Sequence, residues 1–335
     1  MNQEATWTTY WFMFPVALVV STLANLFGVG GAVLFSPIFV IVFPLVNVPT
    51  LSPADAFGSA IVTVVAGFGS GSVANALRQL INYRIVLAAT AFSIPFAVAG
   101  AALRQFVPSY VALYAFAIVI FALGAFRLWF QWWQARRDNV EAALQGLADD
   151  LEEGENDEKK DWTESYLHIE RHRQQAGNLL QRAMQWIGEE QVYRDGDNSV
   201  YRYSVSRLPL LIVSSAVGAL FVGFVSVGMG ELVVTALQAQ HRIPFKIASA
   251  TSVFIVLVTA VAASSYNIVA HGIESFPWKL LVWTMPAVVV GAQLGAWLAS
   301  KVVGKRGMCL ERALTGLFFA IAIVMGVQAT LQILV

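Results

Sequence analysis

The stretch Phe27–Phe39, FGVGGAVLFSPIF, decides how the chain is read. It lies inside one long apolar run, about 12–46, that would otherwise read as a plain membrane helix. Gly28, Gly30 and Gly31 crowd into four residues, and Pro37 follows. A glycine inside a helix costs roughly 0.5–1 kcal/mol relative to alanine, and a proline removes a helical hydrogen bond. So many in one run predict a broken membrane segment.

The composition around it supports the membrane reading. The chain is 57% hydrophobic and 13% charged, against about 25% charged in ordinary soluble domains, and its mean hydropathy is +0.65. Eight main apolar segments recur, at about 12–46, 56–77, 85–106, 109–133, 208–239, 247–270, 279–300 and 308–333. Each approaches or exceeds the roughly 20 residues a helix needs to cross about 30 Å of hydrocarbon. The runs are continuous rather than alternating, which argues against barrel strands. The leader MNQEATWTTY carries no Lys or Arg, unlike a secretory signal. Cys309 is the one cysteine, so no internal disulfide or multi-cysteine metal motif is expected. The expected fold is therefore an all-α, multi-pass protein of the cell membrane with lipid as its solvent.

Between the fourth and fifth segments the material changes. Residues 134–207 hold 16 of the 21 acidic and 10 of the 21 basic residues, a net charge of −6; the remainder, with 5 acidic and 11 basic, is +6. The insert opens on the acidic run Ala148–Asp161, which reads as a solvated linker. Beyond it, Trp162, Tyr166, Ile169, Leu179, Leu180, Met184 and Trp186 form a loose apolar stripe at helical spacing. Glu164, His168 and His172 fall at i, i+4 and i+8, a metal-ligand spacing that a solvated helix face explains equally well, and no metal is assigned.

The two flanking regions, 12–133 and 208–333, resemble each other. With Ala56 set against Ala248, Ser59 meets Thr251, Ala60 meets Ser252 and Asn75 meets Asn267. PFAVAGAAL (Pro95–Leu103) lies against PAVVVGAQL (Pro286–Leu294), and GVGGAVLFSP (Gly28–Pro37) against SVGMGELVVT (Ser226–Thr235). These agreements fall on polar residues, glycines and prolines in one order. They predict two homologous four-segment repeats, the first segment of each broken at its glycine-rich element. Broken segments at matching repeat positions mark the binding site of many transporters, because helix ends present free N–H groups and a positive dipole end that suit an anion.

The expected substrate-binding residues are Gly28, Gly30, Gly31, Ser59, Asn75, Ser226, Gly228, Gly230, Thr251, Ser252 and Asn267. Hydroxyl and amide donors would hold an oxyanion without trapping it as a buried arginine would. Asp55 reads as the cap of the second helix. Glu231, directly after GMG in the broken segment, is a costly charge there unless it is used, and is the candidate for carrying a coupling proton. A cap at the helix start is its competing role. The basic residues Arg78, Arg84, Arg104, Arg127, Arg242, Lys246, Lys279, Lys301, Lys305, Arg306 and Arg312 sit mostly at segment ends and read as anchors or topology signals. With four simple spans per half they split between the two sides and fix no orientation.

The glycine-rich elements GVGGAVLFSP and GFVSVGMGEL, with ASATSVFIVLVTA and its weaker first copy AFGSAIVTVVAG, resemble the TauE/SafE family of membrane permeases, described as sulfite and organosulfonate exporters. In the second glycine-rich element Ser226 and Met229 stand where the family pattern often has glycines, and the insert is longer than the linker of many relatives. The resemblance implies a secondary transporter for a small sulfur-containing anion, with no cofactor and no nucleic-acid partner. No nucleotide-binding G-x-x-x-x-G-K-[ST] loop occurs, so the chain has no ATPase motor of its own. The competing readings are a permease for a carboxylate or a cation, and a membrane sensor or scaffold acting through 134–207. An enzyme would call for clustered His, Asp or Glu in the spans, and only Glu231 and His271 stand there.

Overall fold

The computed structural model describes residues 7–152 except 47 and 50, then 191–194 and 200–203, then 208–334 except 228, 242, 244 and 302–304. Among these the chain is helical apart from one two-stranded ladder. The helices are α1 (Met13–Phe27), α2 (Ala32–Leu45, with a π-turn at Ile38–Val42), α3 (Pro53–Leu77), α4 (Tyr83–Arg104), α5 (Ser109–Glu152), α6 (Leu208–Val225), α7 (Met229–His241), α8 (Phe245–His271), α9 (Trp278–Lys301) and α10 (Lys305–Leu334).

Seven stretches are long and apolar enough to cross a membrane, and two shorter apolar helices, Ala32–Leu45 and Leu211–Val225, accompany them. The expected count of about eight membrane segments is corrected to seven of membrane length with two shorter ones, because the runs 12–46 and 208–239 each hold two helices. The cause in the first run is local. Gly28 takes φ +65° and closes α1 with its N–H on the Ala24 carbonyl, which no continuing helix allows. The chain then doubles back. Phe43, near the end of α2, packs on Tyr10 and Phe12 at the start of the first helix, with ring centroids 5.7 and 6.1 Å apart. In the second run Ser226 takes φ +65° after α6, and α7 packs back along α6.

Helix directions follow from paired contacts. Thr63 meets Thr284, and Ser70 donates to the Val289 carbonyl, so α3 and α9 run the same way. Asn82 donates its N–H to Thr251 and Arg104 bonds Asn267, so α4 and α8 also run together, opposite to α3. The Phe121–Phe319 and Arg127–Phe318 contacts join α5 and α10 antiparallel. Lipid gives no hydrophobic drive between helices, so close approach and polar contacts do the holding. A β-carbon on Gly100 would run into the Leu220 carbonyl, and one on Gly223 into that of Ala97, so α4 and α6 touch backbone to backbone. Gly291 and Gly295 of α9 play the same part against Leu18 and Thr22 of α1. Ser21 adds a 2.8 Å bond to the Val288 carbonyl, and Arg78 donates to the Ala296 carbonyl.

Exposed tryptophans mark both rims of the bundle. Trp7, Trp11 and Trp278 lie at the end where α1, α3 and α9 begin; Trp129, Trp132 and Trp297 lie at the other, where Lys301 sits 4.1 Å over the Trp297 ring. Helix α5 does not stop at the rim but continues for 44 residues in all, so the start of the acidic run, as far as Glu152, is helical rather than linker. Farther into the insert, Gln191–Arg194 pairs antiparallel with Val200–Tyr203. The 162–186 apolar stripe and the Glu164, His168 and His172 set lie outside the described residues.

Candidate functional site

The first candidate site is built where three helix ends meet. Ser52 opens α3 as its cap: its hydroxyl accepts the Asp55 N–H at 3.1 Å and donates to the Asp55 carboxylate at 2.6 Å. Ser52 therefore holds the cap position expected of Asp55, and Asp55 answers it from the first turn. One turn further, Ser59 is fully buried. The last residue of α4, Arg104, is 7% exposed, and its Nη2 donates to Oδ1 of Asn267 on α8 at 2.8 Å. Because α4 and α8 run together, these two ends coincide.

A cavity of about 130 Å³ opens there, lined among others by Asp55, Gly58, Ser59, Arg104, Asn267 and Phe276. That is far below the 300–1,000 Å³ of drug-sized sites and suits a small solute. Three buried groups around it have no hydrogen-bond partner among the described residues: Nη1 of Arg104, Nδ2 of Asn267 and the Ser59 hydroxyl. Buried donors left unmade cost about 1–3 kcal/mol each, more for a charged one, so such a cluster is unusual in a finished core. All three can donate, and a guanidinium edge matches an oxyanion in geometry as well as charge. Asp55, exposed at the mouth, is close enough to act on the Arg104 charge. Sharing Arg104 with Asn267 and Asp55 tempers its hold on an anion.

The anchor role expected of Arg104 is thereby corrected: it is buried and turned toward Asn267, not toward the rim. Neither the run-end position nor the surrounding apolar residues distinguishes it from an anchor.

A second cavity, of about 80 Å³, is lined by Phe27 and Val29 of the first hairpin, Arg127, Phe130 and Gln131 of α5, and Glu231, Val234, Thr235 and Gln238 of α7. Glu231 is 3% exposed, and neither carboxylate oxygen has a hydrogen-bond partner among the described residues. It stands at the third residue of α7, beside Gly30, where an added β-carbon would lie 3.8 Å from Oε2. The backbone N–H groups of Glu231 itself and of Gly30 face the carboxylate, outside hydrogen-bonding geometry but close enough to act on its charge. Arg127, read from sequence as an anchor, is 9% exposed.

The other expected residues do not gather around one point. Ser59 and Asn267 share the Arg104 cavity. Ser226 adjoins it, its hydroxyl donating to the Phe57 carbonyl at 2.8 Å. Thr251 and Asn75 lie toward the opposite end of the bundle: Thr251 accepts the Asn82 N–H at 3.2 Å, and Asn75 is buried in the last turn of α3. Ser252 ties the start of α7 by donating to the Gly230 carbonyl at 3.0 Å. Gly28, Gly30 and Gly230 form the crossing of the two hairpins, where a β-carbon on Gly230 would stand 2.8 Å from the Gly28 carbonyl oxygen. Gly31 packs on Ala24 and Val64. Gly228 lies outside the described residues.

No curated protein and no solved structure matches the chain. A profile of the family described as Sulfite exporter TauE/SafE matches residues 13–325, which takes in both hairpins, both cavities and every described helix at least in part. With seven membrane-length helices and nearly the whole sequence matched, the chain is a multi-pass membrane transporter that belongs to the sulfite exporter TauE/SafE family.

Proposed function

We propose that the chain is a secondary transporter for a small sulfur-containing oxyanion, such as sulfite or an organosulfonate, held by Ser59, Arg104 and Asn267. The observation that carries this reading is the set of three buried groups that can each donate and have no partner among the described residues. An oxyanion supplies several acceptor lone pairs and the missing charge. Asp55 at the mouth is the one carboxylate among the described residues that line the cavity, and the buried Arg104 guanidinium there disfavours a cation.

Two pseudo-symmetric repeats, 12–133 and 208–333, frame the site in this reading. Gly28 and Ser226 are equivalent in the repeat alignment, and so are Phe57 and Ser249. Gly28 packs on Ser249, while Ser226 bonds Phe57, the same contact made from each side. Helix α1 packs on α9 and α4 on α6, so the first helix of each half lies on the fourth of the other. Since α3 and its equivalent α8 run in opposite directions, the repeats are inverted. The insert joins them and stands as a separate hydrophilic region.

Inversion also sorts the charges. Arg78, Arg84, Arg136, Lys246, Lys301 and Lys305 fall at the insert end. Among the described residues, Lys279 and buried Arg104 are the basic ones at the other. The excess makes the insert end cytoplasmic. The Arg104 cavity then lies toward the outer face.

The test is flux in proteoliposomes loaded with sulfite, sulfate, thiosulfate, small sulfonates or small carboxylates, for the wild type and Arg104→Gln. Flux of a sulfur anion that the variant loses by tenfold or more supports the reading. Undiminished flux in the folded variant removes Arg104 from the site, and flux of carboxylates alone replaces the substrate class.

A further inference from the structure

The Arg104 cavity does not use Glu231, yet a buried carboxylate is costly to leave as Glu231 stands. It is buried, its two oxygens meet no hydrogen-bonding geometry among the described residues, and it lines a cavity of its own. A carboxylate in that position is tolerable when it is neutralised, by a proton or by a nearby cation. The groups facing it are few. Helix α5 brings Arg127 and the neutral Gln131; α7 brings Thr235 and Gln238; the first hairpin brings Phe27, Val29 and Gly30; α8 packs on α7 with Ser252. Arg127 is the other charged side chain among the described residues that line the cavity.

The two cavities lie at different depths. Arg104 is at the end where α5 begins, whereas Arg127 lies eighteen residues along α5 from Ser109, about 27 Å up its axis. The tip of the second hairpin links them. Ser226 holds Phe57, two residues before Ser59, and Glu231, five residues later, faces the other cavity. An anion that crosses the protein leaves one arginine and meets the next with Glu231 beside it. The carboxylate and a passing anion then compete for the field of Arg127, and two negative charges in so small a buried space repel strongly unless one takes a proton.

We propose that Glu231 takes up a proton as the anion enters the Arg127 cavity and returns it to water as the anion leaves, so that proton and anion move together. By linkage, a proton that favours anion occupancy is itself bound more tightly when the anion is present. The inference rests on the anion-transport reading above, and two measurements separate their failures.

Infrared difference spectra of the reconstituted protein, taken from acid to alkaline pH, read Glu231 without any substrate. A protonated-carboxyl band that titrates in the wild type and is missing in Glu231→Gln is the expected result; no titrating band, or the same band in the variant, overturns the proposal. Proteoliposomes with an internal pH dye and a labelled sulfur anion read the coupling. Glu231→Gln should lose at least tenfold of the accumulation driven by a pH gradient, and its labelled-anion exchange at equal pH should no longer change with pH. Equal pH-driven accumulation in variant and wild type overturns the proposal and leaves the transport reading intact. If sulfur anions fail to move at all while the carboxyl band titrates, it is the substrate that is wrong and not the proton site.

Discussion

Gly28 and Ser226 share one left-handed backbone conformation, φ +65° at each, at the turn that ends the first helix of each hairpin. At Gly28 the space a side chain would take is filled by Ser249, whose Cα would lie 3.0 Å from an added β-carbon. At Ser226 the side chain is present and reaches the Phe57 carbonyl. Gly28→Ala should therefore destabilise the fold by about 2–4 kcal/mol, the sum of left-handed strain and overpacking. Ser226→Ala keeps the strain, loses one buried bond and should cost about 1 kcal/mol. Thermal unfolding in detergent compares the two, and a tolerated Gly28→Ala would mean the turn is not tightly packed.

The glycines between helices make a sharper contrast. Gly100→Val and Gly291→Val each drive a side chain into a facing carbonyl, Leu220 and Leu18 respectively. Both should abolish recovery of folded protein. Gly316→Val meets nothing within 4 Å and should be recovered at the wild-type level. Size-exclusion profiles of the three variants from the same membranes decide it.

At the Arg104 cavity, charge and geometry separate. Arg104→Lys keeps the charge and loses the planar fork, so it should retain part of the flux with a weakened KM, about tenfold. Asn267→Leu removes the partner of Nη2 and should cost affinity more than folding, about 2 kcal/mol of anion binding. Thr251→Ala, toward the other end of the bundle, should leave anion affinity unchanged. If Thr251→Ala weakens affinity as much as Asn267→Leu, the site is not where the three donors converge.

Orientation is checked by labelling. In a background with Cys309→Ser, a cysteine at exposed Ile273 should react with a membrane-impermeant maleimide in intact cells. One at Ala143 on α5 should react only after lysis. The reverse pattern would place the insert outside and the Arg104 cavity toward the cytoplasm.

The membrane character, the positions of the apolar runs and the glycine-rich elements were legible because each depends on residue type alone. The reversal within the first run was not. A uniformly apolar sequence records that a helix ends but not which way the chain leaves, and the evidence for direction, Phe43 on Tyr10 and Phe12, is a contact across more than thirty residues. A count of apolar runs also misses one helix in each broken run: the first reverses the end on which Arg78 falls and the second restores the count before Lys246, which is why the two looked opposed. Ser59 and Asn267 were legible as buried donors. Arg104 was not, because an arginine at the end of an apolar run has the same local signature whether it reaches for headgroups or turns inward to an asparagine 163 residues away. Ser52 was hidden by the more conspicuous Asp55.

Helix α5 leaves one mechanical consequence. It is continuous from Ser109 past Arg127 to Glu152, so the cavity wall and the stem of the insert are one rod. About nineteen residues stand beyond Trp133, roughly 29 Å of lever arm. A tilt of about 10° at the rim swings the far tip by about 5 Å and rocks the guanidinium of Arg127 in the opposite sense. A ligand or protein that grips the stem therefore has its hand on a tiller whose blade is the wall of the Glu231 cavity.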